Sequence, residues 1–247
     1  MKPELWFSSS GRKLTEENLG FYDSKEFPWV KNLEDNWQVI ANEVDQFIRE
    51  HNNRIQPYFN ASMVSAPQQW KAFGFKFWDW EIKENKNACP ETIKLLKRVP
   101  NLLSASVSIL EPNTEIHEHK GDTNAIYRCH LGLKIPASIP ECGFKVGGET
   151  REWQEGKMLM FNDAASHSAW NLSDKQRYVL LLDVLRPEFE SKRHRICRRV
   201  LAGIRMQFVN QKYQRLKKLP RFMRKGVYYF FIGLIGGSLR FRKLFGV

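Results

Sequence analysis

Cysteine is scarce, with four in 247 residues. Cys89, Cys129, Cys142 and Cys197 form no C-x-x-C pair, and their spacing suits neither a zinc site nor a disulfide framework. A reducing compartment is the simplest implication. A long apolar run is also missing. The charge-free run at 226–239 (GVYYFFIGLIGGSL) is 14 residues long, short of the roughly 20 that a membrane-crossing helix needs. The start, MKPELW, has no apolar h-region, which predicts no secretory signal. Acid is scarce in one place only. Residues 188–247 hold two acids against 16 Lys/Arg, whereas residues 1–187 hold 25 against 23. The net charge of +12 therefore belongs to the last quarter. This asymmetry predicts a nearly neutral module at 1–188 and a basic, surface-seeking tail at 189–247.

What is present is globular. Hydrophobic residues make up 42% and aromatics 13%, too many for a disordered chain. Residues 37–50 carry Val39, Ile40, Val44, Phe47 and Ile48 at helical spacing, with Asp35 or Asn36 as the expected cap. Residues 70–83 are rich in aromatics and read as strand. Pro90 suits the first turn of a short helix ending near Leu96. From residue 102 the pattern changes to short β-branched and apolar segments at 102–110, 126–135, 142–146, 157–161 and 178–185. Turn signals such as Pro112-Asn113, Gly121-Asp122 and Gly147-Gly148 separate them. Short strands at this spacing predict an antiparallel sandwich or barrel. In the tail, 191–225 reads as a basic helix with Ile196, Val200, Leu201, Ile204 and Phe208 on one side. The run at 226–239 follows, between Arg224 and Lys225 on one flank and Arg240, Arg242 and Lys243 on the other. Such a run between cations fits a helix lying in the interface of an anionic membrane. The competing expectation is a helix packed on the domain.

Of six histidines, four (His117, His119, His130 and His167) lie in the strand-rich region. The segments around them are 104–124 (SASVSILEPNTEIHEHKGDTN), 128–133 (RCHLGL), 148–170 (GETREWQEGKMLMFNDAASHSAW), Arg177 and 183–188 (DVLRPE). With 21–22 (FY), 27–37 (FPWVKNLEDNW) and 89–92 (CPET) upstream, this series resembles the aspartyl/asparaginyl β-hydroxylase family over about residues 20–188. The resemblance implies a mainly β chain: a double-stranded β-helix (jelly-roll, cupin-like) with flanking N-terminal helices and, outside the match, the basic helical tail. It also implies an oxygenase that uses iron(II), 2-oxoglutarate and dioxygen.

The resemblance assigns iron to His119 and His167. Imidazole is a good ligand for ferrous iron, and the common site adds a carboxylate. The 48 residues between the two histidines exclude a helical pair and suit two different strands. The carboxylate often stands two residues after the first histidine, where this chain has Gly121. Glycine there resembles the peptidyl hydroxylases, whereas lipid A hydroxylases typically keep Asp. Asp122 and Asp163 are the nearby acids that stand near such a centre; turn formation is the preferred reading for Asp122. Arg177, ten residues after His167, matches the cation that grips the distal carboxylate of 2-oxoglutarate, a task suited to a forked guanidinium. Ser108 matches its hydroxyl partner. Arg128 and His130 match residues near cosubstrate or substrate. Strand alternation puts His117 on the same side as His119, which makes it a rival ligand. Trp153 and Trp170 read as core or rim aromatics.

Three functions compete. The tail suggests a hydroxylase of membrane-lipid acyl chains, cytoplasmic and peripheral at the inner face of an anionic membrane that it meets through 191–247. Gly121 suggests a hydroxylase of peptidyl or free Asp/Asn. A non-catalytic binding protein of the same fold is the third, and retention of both histidines and Arg177 argues against it. Nucleic acid is the generic partner of a chain with pI ≈ 9.6, but here the cations flank an apolar run rather than a base-reading element.

Overall fold

The computed structural model describes residues 3–15, 20–213 and 219–245. Residues 214–218 of the basic stretch, and the side chains of Arg240, Arg242 and Lys243, lie outside the described residues.

Two antiparallel sheets face one another. The strands of the larger are β1 (Phe21–Tyr22), β2 (Gln56–Pro57), β3 (Trp70–Phe77), β4 (Trp80–Glu81), β5 (Leu102–Leu110), β7 (Ile126–Lys134), β10 (Met158–Asn162) and β12 (Arg177–Leu185). They lie in the order β1-β10-β7-β12-β5-β3-β2, with β4 on β3. The smaller sheet has β6 (Thr114–His119), β8 (Cys142–Val146), β9 (Glu149–Arg151) and β11 (His167–Asn171), ordered β6-β11-β8-β9. Two facing sheets with the chain switching between them make a double-stranded β-helix of the jelly-roll, cupin-like kind.

The alternation along each central strand decides what lies where. On β12, Tyr178, Leu180, Leu182 and Val184 point to an outer core. That core also holds Val107, Ile109, Cys129 and Leu131 from β5 and β7. It is capped by α1 (Pro28–Asp35), α2 (Trp37–Glu50) and α4 (Pro90–Leu96), through Leu33, Ile40, Val44, Phe47 and Leu96. A six-residue helix, α3 (Lys83–Ala88), precedes α4. The intervening residues of the same strands, among them Ser108, Arg128, His130 and Arg177, point between the sheets. The larger sheet is thus apolar towards the helices and mixed towards its partner, where Leu110, Phe161 and Val179 sit beside these polar groups.

Most sequence-derived elements fall where expected, including the helix at 37–50. Its cap does not: neither Asp35 nor Asn36 caps α2 through its side chain. Asn36 instead donates to the carbonyl of Asn32 at 2.8 Å, at the end of α1, a helix the periodicity did not separate. The strand read over 70–83 breaks at Trp78 and Asp79, both at positive φ, and turns back as β4. The strands β6 and β11, which carry the two histidine candidates, were not among the expected segments. Each is only five or six residues long and rich in polar side chains.

The basic stretch begins inside the folded core. Helix α5 (Arg193–Lys212) buries Ile196, Cys197 and Val200 in a second cluster with Leu5, Phe7, Leu103, Ile126 and Leu185. Its first residue is clamped: Arg193 Nε and Nη2 donate to the two carboxylate oxygens of Asp79 at 2.7 and 2.5 Å, a bidentate pair. Helix α6 (Arg221–Phe245) packs along α5. Among the described residues no helix is long and apolar enough to cross a membrane. All four cysteines are buried and free.

Ile196 is fully buried between α5 and the sheet. Ile196→Ala is expected to destabilise the whole chain by about 2–5 kcal/mol, read as a lower urea midpoint in one cooperative transition. A separate early transition for the tail would show that α5 is not part of the core.

Candidate active site

The six residues singled out by sequence meet in one cavity. Ser108, His119, Arg128, His130, His167 and Arg177 all line it. Trp70, Phe144, Trp153 and Phe161 complete its walls. The space left is narrow, about 40 Å³, little more than a water occupies.

His119 ends β6 and His167 begins β11, and the two are direct cross-strand partners. Their ring centroids are 4.2 Å apart. Each ring is held the same way. His119 Nδ1 lies 2.8 Å from the carbonyl of His117, and His167 Nδ1 lies 2.9 Å from that of Ala165. A carbonyl accepts, so each Nδ1 carries the proton and each Nε2 keeps a bare lone pair, the tautomer a metal ligand needs. Burial pushes both imidazoles below their usual pKa. For His167, only 4% exposed, the neighbouring His119 adds to the effect. Both are therefore neutral at neutral pH, the state required for coordination.

His117 is not part of this pair. It is exposed, and its Nδ1 faces the carbonyl of Ser62 at 3.2 Å. The pairing shifts between His167↔His119 and Ala169↔Ile116, leaving one extra residue on β6. That bulge breaks the alternation and re-aims the strand. Ile116 and His119 both reach the cavity, while His117 turns outward.

Asp163, in the turn between β10 and β11, packs against Gly121 beside the two imidazoles. A Cβ on Gly121 would lie 1.7 Å from Asp163 Oδ2, so glycine at 121 is what admits this carboxylate. Asp163 Oδ1 lies 3.9 Å from His167 Nε2 and 2.6 Å from Arg128 Nη1. Arg128 Nε also donates to Asp183 at 2.8 Å. Burial pushes the carboxyl of Asp163 up to about 7 in spite of Arg128, with Asp183 and Asp122 adding to the rise. Burial likewise raises Asp122. The region carries more carboxylate than one guanidinium neutralises. A divalent cation between the imidazoles corrects that imbalance, so the residues fit a metal. Among the described residues no three His, Cys, Asp or Glu side chains converge as a ready ligand set. Asp122 faces away from the imidazoles: its carbonyl accepts from Ser8 N at 3.0 Å, and its Oδ1 from Ser8 Oγ at 3.4 Å and Gln207 Nε2 at 3.5 Å.

The cation at the other end stands alone. Arg177 is 1% exposed and stacks on Trp153, 4.6 Å from the ring centroid. Among the described residues no acid pairs with it, and its Nε has no hydrogen-bond partner. Burial pulls its pKa down to about 10. A buried, unpaired guanidinium is costly unless an anion comes to it. His130 lies alongside. Trp153 Nε1 donates to its Nδ1 at 3.4 Å, which puts the proton on Nε2, a buried donor with no partner. Burial, then Arg177, drives the pKa of His130 well down, so it stays neutral. Ser108 Oγ accepts from Trp70 Nε1 at 3.0 Å and keeps its own proton to donate. Trp170 is a rim residue, donating to Pro140 O at 2.7 Å.

Sequence reasoning missed Tyr58 and Trp70. Their rings stack at 3.8 Å, and burial, with Asp122, pushes the Tyr58 phenol up to about 12. Both lie upstream of the strand-rich region, where only the tertiary contact betrays them. Asp183 was visible only as one letter of a longer segment.

Gly121→Ala is expected to cost about 1–3 kcal/mol through overpacking against Asp163, read by thermal unfolding. An unchanged midpoint would remove Asp163 from this position. Arg128→Met strands two buried carboxylates and is expected to cost about 3–5 kcal/mol.

A family model, Aspartyl/Asparaginyl beta-hydroxylase, matches residues 34–187. An ornithine lipid ester-linked acyl 2-hydroxylase from Rhizobium tropici is 33% identical over 175 residues, covering 69% of this chain and 62% of that protein. The aspartyl/asparaginyl beta-hydroxylase of Homo sapiens is 31% identical over 174 residues, 67% of this chain and 22% of its own length. A prolyl-4-hydroxylase from Pseudomonas putida is similar in structure over 64% of this chain and all of its own, at 10% identity and a TM-score of 0.43. With the family model matching more than half of its length, the chain belongs to the aspartyl/asparaginyl β-hydroxylase family.

Proposed function

We propose that this chain is an iron(II)- and 2-oxoglutarate-dependent dioxygenase that hydroxylates an unactivated carbon of a membrane-lipid acyl chain. The observation that carries the reaction class is Arg177, a buried guanidinium with no acid beside it among the described residues, which opens on the same cavity as two imidazoles with bare Nε2 atoms.

Each residue then has a task. His119 and His167 hold the metal, their rings fixed through Nδ1. Arg177 and Ser108 take the distal carboxylate of 2-oxoglutarate, and His130 Nε2 donates to the same molecule. Arg128 is occupied by Asp163 and Asp183; it holds Asp163 beside the metal position rather than gripping the cosubstrate. Phe144, Trp153 and Phe161 keep bulk water out. Ferrous iron, when bound, supplies dioxygen activation and the oxidative decarboxylation of 2-oxoglutarate to succinate and CO₂.

The substrate class rests on the tail and on the R. tropici relative, which acts on an ester-linked acyl group of ornithine lipid. Phe222 is 74% exposed, and Tyr229, Phe230 and Leu234 are also well exposed on α6, among Arg221, Arg224 and Lys225. Large apolar side chains beside cations suit the inner face of an anionic membrane. The specific observation for a peptidyl Asp/Asn substrate is Gly121.

Purified protein with iron(II), 2-oxoglutarate and dioxygen is expected to release succinate, and His167→Ala to release none; equal succinate from both would refute the ligand pair. Arg177→Lys is expected to raise the KM for 2-oxoglutarate about 10- to 100-fold, the worth of a charged hydrogen bond. An unchanged KM would remove Arg177 from the cosubstrate site. Mass spectrometry of lipids and proteome from cells with and without the gene separates the two substrates by where a shift of about +16, one oxygen atom, occurs. A shift confined to peptides would overturn the lipid reading.

A further inference from the structure

A second cavity, larger than the one just described, lies elsewhere on the molecule. It encloses about 580 Å³ between the catalytic domain and the α5–α6 pair. That is within the usual range of small-molecule pockets, about 300–1,000 Å³. Phe59 and Phe77 form its wall on the domain, Ile204 and Phe208 on α5, and Phe231 and Leu234 on α6. Phe77, Phe208 and Leu234 are each exposed by more than a third, so the groove is an open apolar surface rather than a sealed core.

The groove borders the active site on two sides. Phe59 follows Tyr58, whose ring stacks on Trp70; Trp70 in turn donates to Ser108 and lines the metal cavity. On the other side, Gln207 of α5 lies 3.5 Å from Asp122 Oδ1, two residues past Lys120 and next to Gly121. The rings of Phe59, Tyr58 and Trp70 thus make a continuous aromatic path from the groove wall to the cavity wall.

Its chemistry selects the occupant. Among the lining residues Ser238 is the one neutral polar side chain and Arg205 the one charge. A peptide would bury backbone donors and acceptors against walls that cannot satisfy them. A second copy would bring its own basic tail against this one. A hydrocarbon chain needs only apolar contact, and Arg205 meets an anionic group at its end.

We infer that this groove binds the fatty acyl chain of an anionic lipid and delivers it across the Tyr58–Trp70 layer to the metal cavity, a role that rests on the acyl-hydroxylase reading above. The groove is thus built jointly by the basic tail and the catalytic domain.

The test uses the full chain and cis-parinaric acid, a fluorescent C18 fatty acid, with Ile204→Trp to fill the groove and Phe77→Asp to make it polar. Neither residue belongs to the catalytic set. Wild type is expected to bind parinarate, with palmitate displacing it. Both variants are expected to bind at least ten-fold more weakly, with unfolding midpoints, anionic-vesicle flotation and lipid-free succinate release unchanged. Undiminished binding in both variants, or none in wild type, would overturn the groove. Failure of wild type to release succinate, with parinarate binding still lost in the variants, would sink the dioxygenase reading and leave the groove standing.

Discussion

The partly buried guanidinium of Arg128 is the contact on which the site depends. It stands on β7 directly opposite Asp183 on β12 and reaches Asp163 in the β10–β11 turn. One side chain thus ties the large sheet to the turn that launches β11, and so to His167. Desolvating an arginine and two aspartates is expensive, and breaking such a set costs more than the set contributes. The arrangement persists because Gly121 leaves room for Asp163 at the end of β6, where any Cβ would collide with it. The histidines, the glycine and the ion pairs form one packing solution.

The larger sheet does two jobs through a period of two. Its helix-facing residues, with α1, α2 and α4, make an ordinary apolar core. Its other face carries Ser108, Arg128, His130 and Arg177 into a space that the small sheet closes. The rigid, buried strands hold polar groups that would cost stability elsewhere. Arg177 is the sharpest instance, a buried charge with no acid beside it among the described residues.

The tail joins this scheme rather than hanging from it. The first turns of α5 are buried with the N-terminal segment and the ends of the large sheet's central strands, and Arg193 clamps Asp79. Only later do α5 and α6 present aromatics and cations outward. The same pair of helices that offers a membrane-suited face also walls the apolar groove beside the site.

The sequence alone marked the candidate chemistry-bearing positions, which the fold gathers into one cavity. His119, His167, Ser108, Arg177 and the strands β5, β7, β8, β10 and β12 were legible because strand alternation, turn residues and long gapped motifs are local signals. Helix α2 was legible through its 3.6-residue period, while its cap was not, because Asn36 is drawn back to Asn32. Tertiary structure decided the rest. The bulge in β6 removed His117 from contention, since alternation predicts a face only while the pairing register holds. Asp163 entered the site because the space beside Gly121 is a property of two chain segments 42 positions apart, which no local pattern encodes. Arg128 became a positioning residue because two carboxylates from different elements reached it first. Local periodicity specifies which way a side chain points, but which charges meet, and which one is left waiting, depends on long-range packing.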